Sequence, residues 1–372
     1  MATETKPDSP VSSRLASIDA LRGFDMFWIT GGEELIHSLH RTFARPWTAA
    51  LDTQFHHVLW EGFRFYDLIF PLFMFLVGVV LPFSLTRRLE GGASRAGLYR
   101  HLVQRLVALF LLGLIYNGLL DFRFHDLRIA GVLQRIALGY FFAALVVMNA
   151  GVRAQALITG AILVVYWAIV MLIPVPGFGA GVLTPEGNLS AFLDQKLLPQ
   201  PFCCYHFGDN EGILSTLPAI ATTLLGALAG QWLRSGAAPK RKAAGLALAG
   251  VACLVAGGLW SLAFPIIKNI WTSSYVLVAG GWSLLLLALF YWIIDVRGWR
   301  RWAFFFTVIG LNPITIYVLR SQFDFGQIAH IFVRGFLDYF GPFRPLAWDF
   351  CVMMTGWLFL YFLYRQKIFL KV

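Results

Sequence analysis

The amino-acid sequence predicts an all-α, polytopic integral membrane protein with about ten transmembrane helices in one bundle. Of its 372 residues, 58% are hydrophobic and only 13% are charged, whereas about 25% are charged in a typical soluble domain. Apolar runs that approach the roughly 20 residues needed to cross a bilayer as a helix recur along the whole chain. Only helices and closed barrels satisfy the backbone in lipid. The sequence lacks the period-2 alternation of strands, so we expect helices.

Ten apolar segments are predicted to span the membrane. They are residues 18–38, 65–86, 104–120, 131–149, 155–174, 213–233, 243–262, 274–295, 303–320 and 346–364. A polar tail is predicted over residues 1–16, and no signal peptide with a small-residue cleavage site is expected after it. No polar stretch is long enough to fold a second soluble domain. We therefore expect residues 17–372 to form a single transmembrane domain.

The distribution of basic residues predicts that both termini lie in the cytoplasm. With the N-terminus inside, more than half of the 30 Lys and Arg residues fall in short inner connections, and the others are spread over longer outer loops. This asymmetry follows the positive-inside rule. The net charge of +10 is then explained by topology and by contact with anionic lipid head groups. Because the basic residues do not gather on one soluble face, nucleic-acid binding is not expected.

Ionisable residues in or beside the apolar segments are the first candidate functional groups, because such residues are costly in a membrane. Asp19 and Arg22 are three residues apart and share a helix face. Either they form a neutralised structural pair, or Arg22 faces a cavity and receives an anionic ligand. At the outer end of the second segment, His56 and His57 precede Asp67. A histidine beside a carboxylate suits proton transfer, although a structural role for the histidines is the alternative.

Polar residues near the fourth and sixth segments form two further clusters. Arg128 and Arg135 are seven residues apart and lie on nearly the same helix face. Gln134 is adjacent, and an arginine inside a span needs a partner or a wet cavity. Asp209 or Asn210 is expected to cap the helix that follows.

Two polar stretches lie near the eighth and ninth segments. Trp271, close to Asn269, is explained most simply as an aromatic anchor at the membrane surface. Pro313 inside the ninth segment predicts a kink, whose freed carbonyl must be satisfied by Asn312 or by a neighbouring helix.

The four cysteines do not indicate a metal site. Cys253 and Cys351 lie in apolar runs and are expected to be packing residues. The neighbouring Cys203 and Cys204 are not expected to pair with each other. A zinc site there would need further ligands at regular spacing, and only His206 is near.

Six stretches of the chain, in their order, resemble the heparan-α-glucosaminide N-acetyltransferase family and its bacterial relatives. They are SIDALRGFDMFW at 17–28, HVLWEGFRFYDLIFPLFMFLVG at 57–78, RIAGVLQRIALGYF at 128–141, EGILSTLPAIATTLLG at 211–226, KNIWTSSYVL at 268–277 and GLNPITIYVL at 310–319. The resemblance covers nearly the whole chain from residue 17 to about 320, and the six motifs together are specific.

The resemblance implies a transmembrane acetyltransferase of the bacterial inner membrane. Such an enzyme moves an acetyl group from cytosolic acetyl-CoA to an amino sugar or glycan on the periplasmic side. The family's active histidine lies in an H-x-x-W-x-G-x-x-x-x-D-L-x-F-P pattern, which residues 57–71 match. His57 is then the general base and Asp67 the residue that orients it, while His56 is out of register.

The remaining site residues follow from the clusters and from this resemblance. Acetyl-CoA contacts are expected from Arg22, Arg128, Gln134, Arg135, Ser273 and Asn312. Acceptor contacts are expected from Glu33, Trp60, Glu211 and Asn269. Glu33 is nearest by count to an asparagine that the family carries on its first span, and this departure leaves acceptor recognition open. The resemblance also implies a homodimer in the lipid bilayer, without a metal.

A transporter or flippase of a small glycan or anionic substrate is the alternative function. Intramembrane Arg and Asp residues and a broken ninth span suit a transporter as well. Many such transporters contain inverted repeats, and the sequence contains no apparent internal repeat. The acceptor's identity, and the choice between direct transfer and an acetyl-His57 intermediate, stay open at this point.

Overall fold

The computed structural model describes residues 15–370, whose regular secondary structure consists of helices and two short strands. Within this range the α-helices are α1 (Ala16–Phe27), α2 (Glu33–Phe43), α3 (Pro46–Gln54), α4 (Ile69–Glu90), α5 (Arg95–Tyr116), α6 (Val132–Asn149), α7 (Val152–Leu172), α8 (Leu189–Leu197), α9 (Thr216–Arg234), α10 (Pro239–Trp260), α11 (Ser273–Phe290), α12 (Phe304–Leu311), α13 (Pro313–Gln322), α14 (Phe325–Leu337) and α15 (Arg344–Arg365).

Shorter elements connect these helices. A π-helix joins α1 to α2, and a second one extends α11; they cover Trp28–Gly32 and Tyr291–Val296. Turns of 3₁₀-helix cover Phe65–Leu68, Leu119–Asp121, Phe124–Asp126 and Asp338–Phe343. Two short antiparallel strands, β1 (Cys204–Tyr205) and β2 (Gly208–Asp209), form a hairpin before α9.

The helix lengths confirm the predicted class of all-α polytopic membrane protein. Among the described residues, eight helical segments are long and apolar enough to cross a membrane, or nine if α12 and α13 count as one bent span. These nine correspond to nine of the ten predicted segments. The first predicted segment, 18–38, contains α1, the π-helix and most of α2, with a kink at Gly31, whose φ of 138° is not helical. It is too rich in charged residues to qualify by composition, because Asp19, Arg22, Asp25 and two glutamates lie along it.

Several helix boundaries differ from the predicted spans. The third segment begins at Arg95 instead of residue 104, because the side chain of Ser94 accepts a hydrogen bond from the Gly97 N–H and caps the helix there. Hydropathy marks only the part of a helix that lies in lipid, so the basic first turns of α5 were missed. For the same reason the predicted spans did not include α14, an amphipathic helix on which Ile331 and Phe332 are more than three-quarters exposed.

Pro313 breaks the ninth span, as predicted. The helices α12 and α13 meet there at an angle of 72°. The buried amide of Asn312 lies at the break, where its Nδ2 donates to the carbonyl of Ile368 and its Oδ1 accepts from the N–H of Leu370, both at 3.0 Å. Asn312 therefore attaches the chain after α15 to the bend.

Glycines allow two helix pairs to pack with their backbones almost in contact. A Cβ atom added to Gly78 would overlap the carbonyl oxygen of Thr223, and one added to Gly226 would overlap that of Phe75. These contacts join α4 to α9. The pair α1 and α12 meets in the same way at Gly23 and Gly310. Small residues that let backbones approach are a common means of helix association in lipid.

Contacts between loops agree with the predicted sides of the membrane. The N–H of Ser17 donates to Asp295, and both residues were predicted on the inner side. The N–H of Gly62 donates to the carbonyl of Ile266 at 2.9 Å, and both were predicted on the outer side. Which side is cytoplasmic stays a prediction from charge. The division into a tail and one membrane domain also stays a prediction, and most of the tail lies outside the described residues.

The close approach of α4 and α9 predicts that Gly226→Ala destabilises the protein. The added methyl group must push the helices apart, and overpacking of this kind costs roughly 1–3 kcal/mol. Gly160→Ala in α7 is the matched control, because a Cβ there meets no atom within 4 Å. Thermal unfolding of the detergent-purified protein should show a lower midpoint for Gly226→Ala alone. Equal midpoints for the two variants would contradict this packing.

Candidate active site

His57 and Asp67 form a hydrogen-bonded pair at the start of α4. Nδ1 of His57 lies 2.8 Å from Oδ1 of Asp67. The other carboxylate oxygen accepts from the backbone N–H of Arg64 at 3.1 Å and from that of Val58 at 3.4 Å. The carboxylate thus caps the 3₁₀ turn that leads into α4. The Asp67 side chain is only 1% exposed, whereas that of His57 is 50% exposed and open to a ligand.

Lys268 is the third member of this group. Its Nζ lies 3.3 Å from Oδ1 of Asp67, and 2.9 and 3.1 Å from the two ring nitrogens of His57. The Lys268 side chain is 15% exposed. Burial lowers the pKa of its ammonium group, and the charge of Asp67 opposes this effect. A buried cation, a buried carboxylate and an exposed imidazole therefore lie in mutual contact.

The backbone explains how residues so distant in sequence meet. Glu61 and Ile267 form an isolated antiparallel bridge, and the Gly62 N–H donates to the carbonyl of Ile266. Gly62 has a φ of 124°, which favours glycine, so the glycine of the H-x-x-W-x-G pattern is needed for the turn itself. This pairing places Lys268 beside His57.

Two tyrosine side chains contact the His57–Asp67 pair. The Tyr66 ring lies 4.9 Å from the His57 ring, tilted by 31°. The Tyr66 hydroxyl donates to Glu33, so Tyr66 links the predicted acceptor residue Glu33 to the imidazole. The hydroxyl of the fully buried Tyr275 donates to the backbone carbonyl of Asp67 at 2.8 Å. These contacts restrict the orientation of both His57 and Asp67.

Trp60 connects the pair to the long loop before α9. Its indole N–H donates to the carbonyl of Leu183 at 2.8 Å, and its ring lies edge-on to Tyr205, 5.2 Å away. The adjacent Cys203 and Cys204 form a disulfide bond, so the expectation that they do not pair was wrong. The pairing occurs where the β1–β2 hairpin holds Cys204 at a φ of 120°, outside the usual range for a non-glycine residue.

The side chain of Arg128 binds two carboxylates of the loop before α9. Its Nε and Nη2 atoms donate to Asp209 at 2.7 and 2.5 Å, and Nη2 also donates to Glu211. Burial alone would lower the pKa of Arg128, but the two carboxylates raise it above its ordinary value. The prediction that Asp209 or Asn210 caps the next helix was wrong. Helix α9 begins at Thr216, and Asp209 is engaged with Arg128 instead.

Arg135 carries a buried charge with few direct partners. Its side chain donates to the carbonyl of Gly212 and to Ser215, and the guanidinium lies over the Trp271 ring at 4.9 Å. Its Nε and Nη1 atoms, like the amide of the neighbouring Gln134, are buried and have no hydrogen-bond partner within the described residues. Polar atoms of a bound molecule can satisfy these groups, because buried polar groups are normally hydrogen-bonded.

The structure brings some of the predicted site residues together and separates others. His57, Asp67 and Glu33 form one group through Tyr66, while Trp60 contacts Leu183 and Tyr205. Asn269 follows Lys268 directly in the chain. The charge of Glu211, like that of Asp67, opposes the lowering of the Lys268 pKa by burial.

Three other predicted residues have different surroundings. The hydroxyl of Ser273 donates to the carbonyl of Leu163 at 2.7 Å. Arg22 and Asn312 lie by α12. Arg22 contacts the carbonyl of Gly310 at 3.2 Å and pairs with Asp19 at 3.5 Å, as expected. Glu33 lies eleven positions after Arg22 in the chain, beyond the kink at Gly31.

Lys268 was not among the predicted site residues, although the motif that contains it was noticed. Its neighbour Asn269 was chosen instead. A signal was available, because a lysine in an outer connection runs against the positive-inside pattern and needs a partner when it is buried.

The pairing of Arg128 predicts that Arg128→Gln destabilises the fold. Removing one partner leaves Asp209, whose side chain is 1% exposed, without its counter-charge. Such a loss costs about 3–5 kcal/mol. Arg123→Gln, at an exposed position of the same loop, is the control and should unfold like wild type. Thermal unfolding in detergent measures both, and a wild-type midpoint for Arg128→Gln would refute the structural role.

Comparison with known proteins places this site in a family. A family model described as the heparan-alpha-glucosaminide N-acetyltransferase catalytic region matches residues 14–270, which include His57, Asp67 and Lys268. The heparan-alpha-glucosaminide N-acetyltransferase of Homo sapiens is 26% identical over 437 residues, covering 98% of this chain and 61% of the human protein. That of Mus musculus is 27% identical over 379 residues, covering 86% of this chain and 56% of the mouse protein. The chain thus spans about three fifths of the length of these relatives. It belongs to the heparan-alpha-glucosaminide N-acetyltransferase family.

Proposed function

We propose that this protein is a transmembrane acetyltransferase. It transfers an acetyl group from cytosolic acetyl-CoA to the amino group of an amino sugar or glycan on the periplasmic side of a bacterial inner membrane. The observation that carries the proposal is the contact of His57 with the buried Asp67 and Lys268. The family match supports acetyl transfer as the reaction.

His57 acts as the general base. The Nδ1–H of His57 donates a hydrogen bond to Asp67, which leaves the lone pair of the neutral imidazole on Nε2. Because half of the His57 side chain is exposed, an acceptor nitrogen can approach Nε2. Nε2 removes a proton from this nitrogen as the new N–C bond forms at the thioester carbonyl. Asp67 is a positioning residue, which fixes the tautomer and stabilises the imidazolium.

Lys268 stabilises the negative charge that develops in the reaction. Its ammonium lies 3.1 Å from Nε2 of His57, so a thioester carbonyl brought to this nitrogen would be within reach of the positive charge. When the C–S bond breaks, the thiolate leaves and takes the proton that His57 had accepted. The net reaction is the acetylated amine plus the free thiol. Direct transfer needs no acetyl-His57, and an acetylated protein formed without acceptor would favour the two-step route.

The charge pattern supports loading from the opposite face. Acetyl-CoA is large and anionic, so it binds from the side where the basic connections gather. Its pantetheine arm must then pass between the helices to reach His57. The unpartnered polar atoms of Arg135 and Gln134 lie inside the bundle and suit the amide groups of that arm. Roles for Arg22 and Asn312 in acetyl-CoA binding, and a homodimer, stay predictions.

The proposal predicts that His57→Ala loses roughly 10²–10⁴-fold in acetyl transfer, the usual contribution of a general base. Purified protein is given radiolabelled acetyl-CoA and glucosamine, and both the labelled product and the released thiol are measured. His125→Ala is the control, because His125 is an exposed histidine of another loop, also beside an aspartate.

Two outcomes would contradict the proposal. A wild-type rate in His57→Ala would remove the catalytic assignment. Binding of acetyl-CoA by the wild type without thiol release, across a panel of amino-sugar acceptors, would favour the transporter alternative.

The position of Lys268 predicts that Lys268→Met lowers kcat by about 10²-fold, the usual cost of losing one group that stabilises an oxyanion. The KM for the acceptor should change much less, because the charge acts mainly after bond formation begins. Steady-state kinetics separate the two constants, and thermal unfolding checks that the variant is folded. A folded variant with unchanged kcat would exclude this role.

A further inference from the structure

A second cluster of histidines lies beside the candidate active site and takes no part in the proposed reaction. His37 comes from α2, Asp52 from α3, and His56 from the loop that precedes His57. Nδ1 of His37 lies 2.7 Å from one carboxylate oxygen of Asp52, and Nε2 of His56 lies 3.1 Å from the other. The two imidazole rings stack with centroids 4.6 Å apart. Side chains from three segments therefore converge at one point.

Glu33 lies beside the second ring nitrogen of His37. One oxygen of Glu33 lies 3.5 Å from Nε2 of His37, while the other accepts from the Tyr66 hydroxyl. With a proton held on Nε2, a neutral imidazole presents the lone pair of Nδ1 to Asp52. Two acceptors 2.7 Å apart then need a cation, either a proton or a metal ion. Metal-binding histidines commonly present their second nitrogen to a carboxylate in this way.

The ligand atoms suit a borderline divalent cation. Two imidazole nitrogens and one carboxylate oxygen all lie within 4.8 Å of one another. Small side-chain shifts bring such atoms to the roughly 2.0–2.2 Å that Zn²⁺ requires. We propose that His37, Asp52 and His56 bind Zn²⁺ or a cation of similar ligand preference, with water in the open position. His56 is 57% exposed, so the ion enters directly from the aqueous phase.

The bound cation would fix the helices α2 and α3 against the loop that carries His57. The ligand His56 directly precedes His57, and Glu33 reaches the imidazole of His57 through Tyr66. None of the three ligands has a role in the proposed acetyl transfer. The ion would act structurally, and its binding does not depend on that reaction.

The test is zinc binding by the full-length protein, purified through a tag without histidine and treated with a chelator. After equilibration with micromolar Zn²⁺ and removal of free metal, elemental analysis should find about one zinc per chain. His56→Gln and Asp52→Asn should each bind Zn²⁺ at least about 10-fold more weakly, since even outer partners of a metal site contribute roughly 10–100-fold. Added Zn²⁺ should also raise the unfolding temperature of the wild type, and not of these variants.

Two controls separate this site from other histidines. His125→Gln changes an exposed histidine that lies 3.1 Å from Asp126, and His57→Gln changes the candidate base. Both should keep wild-type zinc binding, whatever their effect on acetyl transfer. The proposal is overturned if wild type binds no more zinc than His56→Gln, because protons alone then occupy the cluster. It is also overturned if His125→Gln or His57→Gln removes the bound zinc.

Discussion

The buried carboxylate of Asp67 is the group on which the rest of the site depends. A carboxylate with 1% of its side chain exposed has lost almost all contact with water and must be compensated by the protein. Two backbone N–H groups, the imidazole of His57 and the ammonium of Lys268 supply this compensation. Because these donors come from three stretches of chain, satisfying one charge also assembles the site.

Helix packing positions the segments that carry the groups around this carboxylate. Helix α4 begins directly after Asp67, and α9 begins a few residues after Glu211. The glycine contacts between α4 and α9 bring their backbones close and set the spacing between the two ends of the site. The ion pairs of Arg128 then attach the loop before α9 to the start of α6. Packing within the bundle thus positions polar groups that lie outside it.

Family membership and site geometry support the same reaction from independent observations. The family match covers the segment that holds the imidazole, the carboxylate and the lysine. The geometry adds a physical reason for each, since a general base needs an oriented tautomer and a developing anion needs a nearby cation. The cluster of His37, Asp52 and His56 is a separate feature, because none of its three side chains has a role in the proposed reaction.

Local properties of the sequence determined the membrane class, nine of the spans and the break at Pro313. Hydropathy and proline chemistry act over a few residues, so these features could be predicted. The sequence has two histidines before Asp67, and the family motif selected His57 as its partner. The partners of His57 and Arg128 that lie 211 and 81 residues away could not be predicted, because only the folded bundle brings them close. The tertiary structure likewise decided that Asp209 binds an arginine instead of capping a helix, since α9 begins seven residues beyond Asp209 and the guanidinium of Arg128 offers two charge-assisted hydrogen bonds.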